Sequence, residues 1–163
     1  MLGDLADGDL PLGSLEAQHG YTLVEAVFDT GAEHSCVPLG ILPGVIQSSP
    51  MSRAGKKYRG PDKSPIPNLG EIRGHFETED NVKACLLWQV ANIERPLVAG
   101  AQITAAGNKV ELDADGGKII CKKSGRTIKL HRRGSKDGGV YVIKMWVPED
   151  PMASVFARPG GQK

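Results

Sequence analysis

Apolar residues come along this chain in short runs separated by Gly, Pro, Asn and Asp, a spacing that predicts strands rather than long helices. Tyr21-Thr22-Leu23-Val24-Glu25-Ala26-Val27-Phe28 is rich in β-branched and aromatic residues and too short for a typical helix, so it reads as a strand largely buried on both faces. After the polar turn Asp29-Thr30-Gly31-Ala32, residues 33–37 are expected to leave as a second strand. The following segment, 39–50, contains Pro43-Gly44 and Ser48-Ser49-Pro50 and reads as a loop crossing the surface. Residues 54–58 and 64–72 flank Arg59-Gly60-Pro61-Asp62-Lys63, whose Gly-Pro-Asp is turn chemistry. They predict a polar, proline-stiffened hairpin with little core of its own. A turn over 77–81 precedes a long apolar run, 82–91, expected as a central strand. Residues 92–96 break it, 97–100 resume it, and a short helix over 101–106 is stopped by Gly107. Two hairpins follow, 110–112 with 118–121 and 118–123 with 127–130, and a strong last strand spans 140–147.

With 163 residues, 40% of them hydrophobic, the chain is long enough to bury one real core. Aromatics make up only 5%, whereas there are 21 Gly and 11 Pro, which again favours many turns and a mainly β class. Three cysteines, Cys36, Cys85 and Cys121, are odd in number and far apart; this argues against a disulfide framework and fits a reducing, intracellular, cytoplasmic setting. Each lies in an apolar run and is expected as a small buried hydrophobe. Four scattered histidines, His19, His34, His75 and His131, give no metal-ligand spacing, so neither a metal nor a cofactor is expected. No apolar run approaches the length of a membrane span, and no membrane partner is expected.

Net charge is +1, which names no partner, but its distribution is uneven. Residues 1–18 carry Asp4, Asp7, Asp9 and Glu16 without a Lys or Arg, and read as a disordered acidic leader. Residues 118–136 carry Lys118, Lys122, Lys123, Arg126, Lys129, Arg132, Arg133 and Lys136 without one acid. Such a run is either a solvated hairpin face or a nucleic-acid surface. Residues 148–163 read as a disordered tail, leaving 19–147 as the folded domain, with the C-terminal hairpins over 108–147 part of it.

Asp29 is the residue with the clearest chemical potential. It follows directly on an apolar strand, and a carboxylate between two buried strands needs hydrogen bonds, a counter-charge or a raised pKa. Thr30 supplies a hydroxyl, Gly31 permits close backbone approach, and Ala32 is small enough not to block a ligand. An Asp-Thr-Gly turn that only satisfies its own backbone is the alternative.

At these residues the sequence resembles the retropepsin-like aspartic proteases, in which Asp-Thr-Gly-Ala follows an apolar strand. It is most like the protease region of copia-type retrotransposon polyproteins, from about Tyr21 to Val147. The likeness extends to the hairpin after the turn, to Leu97-Val98-Ala99-Gly100-Ala101-Gln102-Ile103-Thr104-Ala105-Ala106-Gly107 with Lys109-Val110-Glu111-Leu112, and to Gly139-Val140-Tyr141-Val142-Ile143. The resemblance implies a closed β-barrel half with a flap hairpin and one short helix. It also implies an aspartic endopeptidase acting on a peptide or polyprotein substrate. Asp29 would be catalytic, with Thr30, Gly31 and Ala32 as active-site support and Glu33, His34, Gly60, Pro61 and Asp62 as candidates for substrate contact. The sequence departs from the retroviral pattern in one place: the arginine that usually follows the apolar-apolar-Gly is absent, since Gly100 is followed by Ala101-Gln102. Only one Asp-Thr-Gly occurs, so the implied enzyme is a homodimer that contributes one carboxylate per chain. A catalytically inactive dimerisation or peptide-binding module with the same fold is the second expectation. A nucleic-acid-binding remnant is the third.

Overall fold

The computed structural model describes residues 16–18, 20–59, 62–135 and 138–150, with backbone only for 16–18. Its elements are β1 (Glu16–Gln18), β2 (Tyr21–Asp29), β3 (Ser35–Val37), α1 (Pro50–Arg53), β4 (Lys57–Arg59), β5 (Pro65–Thr78), β6 (Lys83–Ala91), β7 (Leu97–Ala99), α2 (Gly100–Ala105), β8 (Asn108–Asp113), β9 (Gly116–Cys121), β10 (Thr127–Arg133) and β11 (Val140–Pro148). The protein is mainly β, and the described strands belong to one sheet. Its central six run β2-β7-β3-β6-β5-β11, and β11 pairs back onto β2, so the pairings trace a ring. The ring is strong along β2–β11, where register extends from Tyr21↔Pro148 to Phe28↔Tyr141. It is narrow at two seams: β5–β11 meets through Met145↔Thr78 and Trp146↔Glu77, and β3–β7 through Cys36↔Leu97.

Alternation along the strands fills the inside of the ring. Val24, Ala26 and Phe28 of β2, Ile72 and Phe76 of β5, Trp88 and Val90 of β6, and Ile143, Met145 and Val147 of β11 all belong to one buried cluster. These positions share a face in each strand, as the period of two requires. Phe76 and Trp88 meet edge to face, with ring centroids 6.3 Å apart. Gly74, between them in register, leaves the space they need: a Cβ there would stand 2.7 Å from Leu42 Cδ1 and 3.1 Å from Trp88 Nε1. Beyond β11 the sheet continues through β10, β9 and β8, which extend it as antiparallel hairpins.

Several boundaries differ from the sequence expectation. Glu16–Gln18, expected within the leader, form β1 and pair with β2; residues 1–15 and 151–163 lie outside the described residues. Pro148 is not the start of the tail but the last residue of β11, and Glu149 N–H donates to Gly20 O. The loop over 39–50 is tied down by Gln47, which bridges Glu71, and ends in a one-turn helix. Ser49 caps that helix, accepting from Ser52 N–H, while Ser52 Oγ accepts from Ser49 N–H, and Pro50 fills the first position. The expected turn at 77–81 begins later, because Glu77 and Thr78 are buried and still belong to β5. No helix among the described residues is long and apolar enough to cross a membrane.

Candidate active site

Strand order places Asp29. β7 lies between β2 and β3 and runs parallel to β2, with Asp29 opposite Ala99. The loop from Asp29 to Ser35 therefore arches over the C-terminal end of β7, where α2 begins. Asp29 is half-buried, and its Oδ1 accepts the Gly31 N–H at 2.8 Å. This bond fixes the carboxylate to its own turn. Gly100 sits under the arch: a Cβ there would stand 3.0 Å from Thr30 Cα and 3.3 Å from Asp29 O. Glycine at the start of α2 thus lets the turn rest directly on the helix.

The far foot of the arch is held by Gln102. Its Oε1 accepts from Ser35 Oγ at 2.7 Å and from Ser35 N–H at 3.2 Å, and its Nε2 donates to Leu87 O at 3.3 Å. Ser35 is fully buried, and its hydroxyl also accepts the Ala99 N–H at 3.0 Å. One side chain on α2 therefore links β3 and β6 beneath the Asp29 loop, and Ser35 joins β7 to them. Gln102 makes three hydrogen bonds there without a charge to bury.

On its upper side the arch is open. Thr30 and Gly31 are exposed and Ala32 half-buried. The Thr30 hydroxyl has no hydrogen-bond partner among the described residues. Gly31 does not adopt a positive φ, so a turn that demands glycine for its backbone is not what is seen. A Cβ on Gly31 would meet only Asp29 Oδ1, at an ordinary 3.4 Å. Within one chain, alanine fits at this position. Glu33 and His34 follow on the exposed rim, 4.0 Å apart across Oε1 and Nε2, with side chains 89% and 49% exposed. At that exposure the pair contributes little to stability.

The hairpin expected after the turn is present as β4–β5, with Tyr58 opposite Ile66. Gly60 and Pro61 lie outside the described residues. Asp62 is exposed, and its Oδ1 accepts from both Ser64 N–H and Ser64 Oγ, which holds its carboxyl below the usual carboxylate range. Its carboxylate thus closes the hairpin's own tip. At the base, buried Asn68 satisfies its whole amide: Oδ1 accepts from Ser49 Oγ and Gly70 N–H, and Nδ2 donates to Tyr58 Oη and Gln89 Oε1. Burial pushes the Tyr58 phenol up, and the Cys36 thiol beside it pushes the same way, against the Asn68 hydrogen bond. Burial also raises the Cys36 thiol, against its hydrogen bond with Tyr58. The hairpin base is therefore packed on β3, the strand that leaves the Asp29 arch.

Other expectations resolve differently. Only Cys36 is buried; Cys85 and Cys121 are partly exposed, because Cys85 lies on the outer face of β6 and Cys121 at the end of β9. The basic run does not form a single cationic stripe. Arg133 pairs with Glu25 at 2.8 Å, Arg126 donates to Asn81 O, Arg132 to Ser135 O and Gly138 O, and Lys118 lies 3.9 Å from Glu111. Strand alternation also sends Lys129 and Arg132 to opposite faces of β10. Lys136 lies outside the described residues. Asp113 makes the same contact in the β8–β9 turn, its Oδ1 accepting the Asp115 N–H at 2.8 Å as Asp29 Oδ1 accepts the Gly31 N–H. No group of three or more potential metal ligands occurs among the described residues. Comparison with known proteins finds no family model, curated protein or solved structure that matches this chain.

Proposed function

We propose that this protein is an aspartic endopeptidase of the retropepsin-like kind, active as a homodimer in which two Asp29 arches meet at the twofold axis. The observation that carries this reading is the asymmetry of the arch. It is braced from below by Gly100 and Gln102, and it is open above, where an exposed Thr30 hydroxyl and a Gly31 without a conformational need for glycine flank a fixed carboxylate. Features that one chain leaves unused are accounted for by a second copy of the same turn and a substrate backbone.

Two carboxyls brought within a few ångströms cannot both ionise readily, so the pair holds one proton between them; general experience with such dyads gives two apparent pKa values that belong to the pair. The ionised Asp29 takes a proton from a water as it attacks the peptide carbonyl carbon. The protonated Asp29 donates to the carbonyl oxygen. Return of a proton to the amide nitrogen breaks the C–N bond. Gly31 N–H fixes one oxygen of each carboxylate, and in this reading the exposed Thr30 hydroxyl hydrogen-bonds across the axis, as the resemblance implies. The β4–β5 hairpin, with a polar tip and a fixed base, serves as the lid that excludes water from the bound peptide.

The test is peptide cleavage at mildly acidic pH, with wild type and Asp29→Asn at concentrations high enough to dimerise, and with a pepstatin-like transition-state mimic. Loss of activity in Asp29→Asn and inhibition of the wild type by the mimic are expected. A folded dimer that cuts nothing would replace this reading with a peptide-binding module.

A further inference from the structure

The β5–β6 hairpin carries a second constellation on the outer face of the ring, away from both the core and the Asp29 arch. His75 and Cys85 are partners in register across the two strands. Their odd positions alternate with the buried Phe76, Ala84 and Leu86 side, so both point outward. Cys85 Sγ lies 3.8 Å from His75 Nε2. Both line a cleft of about 250 Å³, whose walls include Tyr21 from the start of β2, Pro148 from the end of β11, and Ala84. Lys83 adds a cation to the lining, and Glu77, its partner in register, adds a carboxylate; Phe76 of the core forms part of the floor. A thiol within reach of an imidazole, in a partly apolar cleft open to solvent, is an arrangement for sulfur nucleophilicity rather than for packing.

We propose that Cys85, with His75 as its proton acceptor, is a thiol–disulfide exchange site for a small-molecule disulfide seated in this cleft. The cleft is smaller than a typical drug-sized site and suits a small organic molecule rather than another protein's disulfide. His75 Nε2 takes the thiol proton as the Cys85 sulfur attacks one sulfur of the bound disulfide. A new S–S bond to Cys85 forms and the ligand's own S–S bond breaks; the departing thiolate recovers the proton from His75. Cys85 is oxidised to a mixed disulfide, one ligand half is reduced to a thiol, and no other oxidant is required. Glu77 is buried and Lys83 exposed, so the Lys83 ammonium is the charge an entering ligand meets, and it favours a disulfide that carries a carboxylate.

The full chain, fully reduced, is incubated with dithiodiglycolic acid, and occupancy of each cysteine is followed in time by peptide mass spectrometry. Cys121 serves as internal reference: it lies outside the cleft, and its thiol is held below the ordinary range by Ser124 hydrogen bonds and by Lys123. Cys85 is expected to react at least as fast as Cys121, while buried Cys36 stays unmodified. His75→Gln is expected to slow Cys85 at least about tenfold, the low side of what a positioned proton acceptor contributes, and to leave Cys121 unchanged. A Cys85 rate insensitive to His75→Gln, or a wild-type Cys85 more than about tenfold slower than Cys121, would overturn the proposal. Should His75→Gln expose Cys36, Lys83→Gln replaces it, read as the preference of Cys85 for dithiodiglycolic acid over cystamine. Loss of that preference supports the site, and an unchanged preference removes it.

Discussion

Truncating Gln102 to alanine tests whether the arch over β7 is held from below. The substitution removes two hydrogen bonds accepted from Ser35 and one donated to Leu87 O. Ser35 is fully buried, so its N–H loses its partner in a place water reaches poorly, while its hydroxyl keeps the Ala99 N–H. A net hydrogen bond contributes about 0.5–1.5 kcal/mol, and an orphaned buried group costs about 1–3 kcal/mol. Because Gln102 itself is half-buried, water recovers part of this, and about 2–3 kcal/mol is the expected loss. For a chain of this size that is roughly 4–12 °C in Tm. Urea unfolding followed by tryptophan fluorescence, to which fully buried Trp88 contributes together with Trp146, at one fixed protein concentration, measures it. Ser35→Ala alone and combined with Gln102→Ala completes a cycle, and a coupling of about 1 kcal/mol or more is expected between two residues in direct contact. A Gln102→Ala protein within about 0.5 kcal/mol of wild type, with no coupling to Ser35, would refute the bracing role.

Gly31→Ala separates fold from function. With no positive φ and only a 3.4 Å contact to Asp29 Oδ1, it should leave stability unchanged or raise it by about 0.4–1 kcal/mol, while peptide cleavage falls at least about tenfold. A fully active Gly31→Ala would show that nothing approaches the turn from outside. Glu79 governs an acid limb of stability. Burial pushes its carboxyl up, but the His131 hydrogen bond and charge, with Lys144 and Lys129, outweigh this and hold it below its usual value. A depressed carboxyl stabilises the fold above its unfolded pKa, near 4.5, and that contribution is lost as pH falls through the lower folded value. Glu79→Gln is therefore expected to flatten the loss of stability below about pH 4.5 in acid titration monitored by circular dichroism, and an unchanged acid limb would contradict it. Finally, a tight peptide inhibitor should slow amide hydrogen exchange over Lys57–Arg59 and the β5 residues paired with them. Equal exchange with and without inhibitor would remove the lid role.

Three of the ring's long strands were legible because their residues allow little else. Tyr21–Asp29, Lys83–Ala91 and Val140–Pro148 combine β-branched and aromatic residues with lengths too short for helices. The short α2 and its stop at Gly107, which has φ +94°, were legible from local chemistry as well. β5 was read too short, ending at 72 where the strand runs on to Thr78; in the fold Gly70 and Gly74 are where Gln47 and Leu42 approach. The helix at Pro50–Arg53 had a readable signal in Ser49-Pro50-Met51-Ser52, a capping box with proline at its first turn. The turn that follows Asp29 at the end of an apolar strand was legible, but what supports it from below was not. Ser35 meets Gln102 across 67 residues of sequence, and Cys85 meets His75 only because of hairpin register. Pairings of that kind follow from topology, which no local pattern encodes.

The most direct test of a site shared between two chains is a mixing titration. Wild type and Asp29→Asn are combined at constant total concentration, well above the dimer dissociation constant, and peptide cleavage is measured against the wild-type fraction. If only dimers with two intact Asp29 residues are active, cleavage follows the square of that fraction, and an equal mixture retains about one quarter of the activity. A linear fall, with about one half retained, would mean that each chain acts alone; activity that survives in pure Asp29→Asn would mean that Asp29 is not the reacting carboxylate.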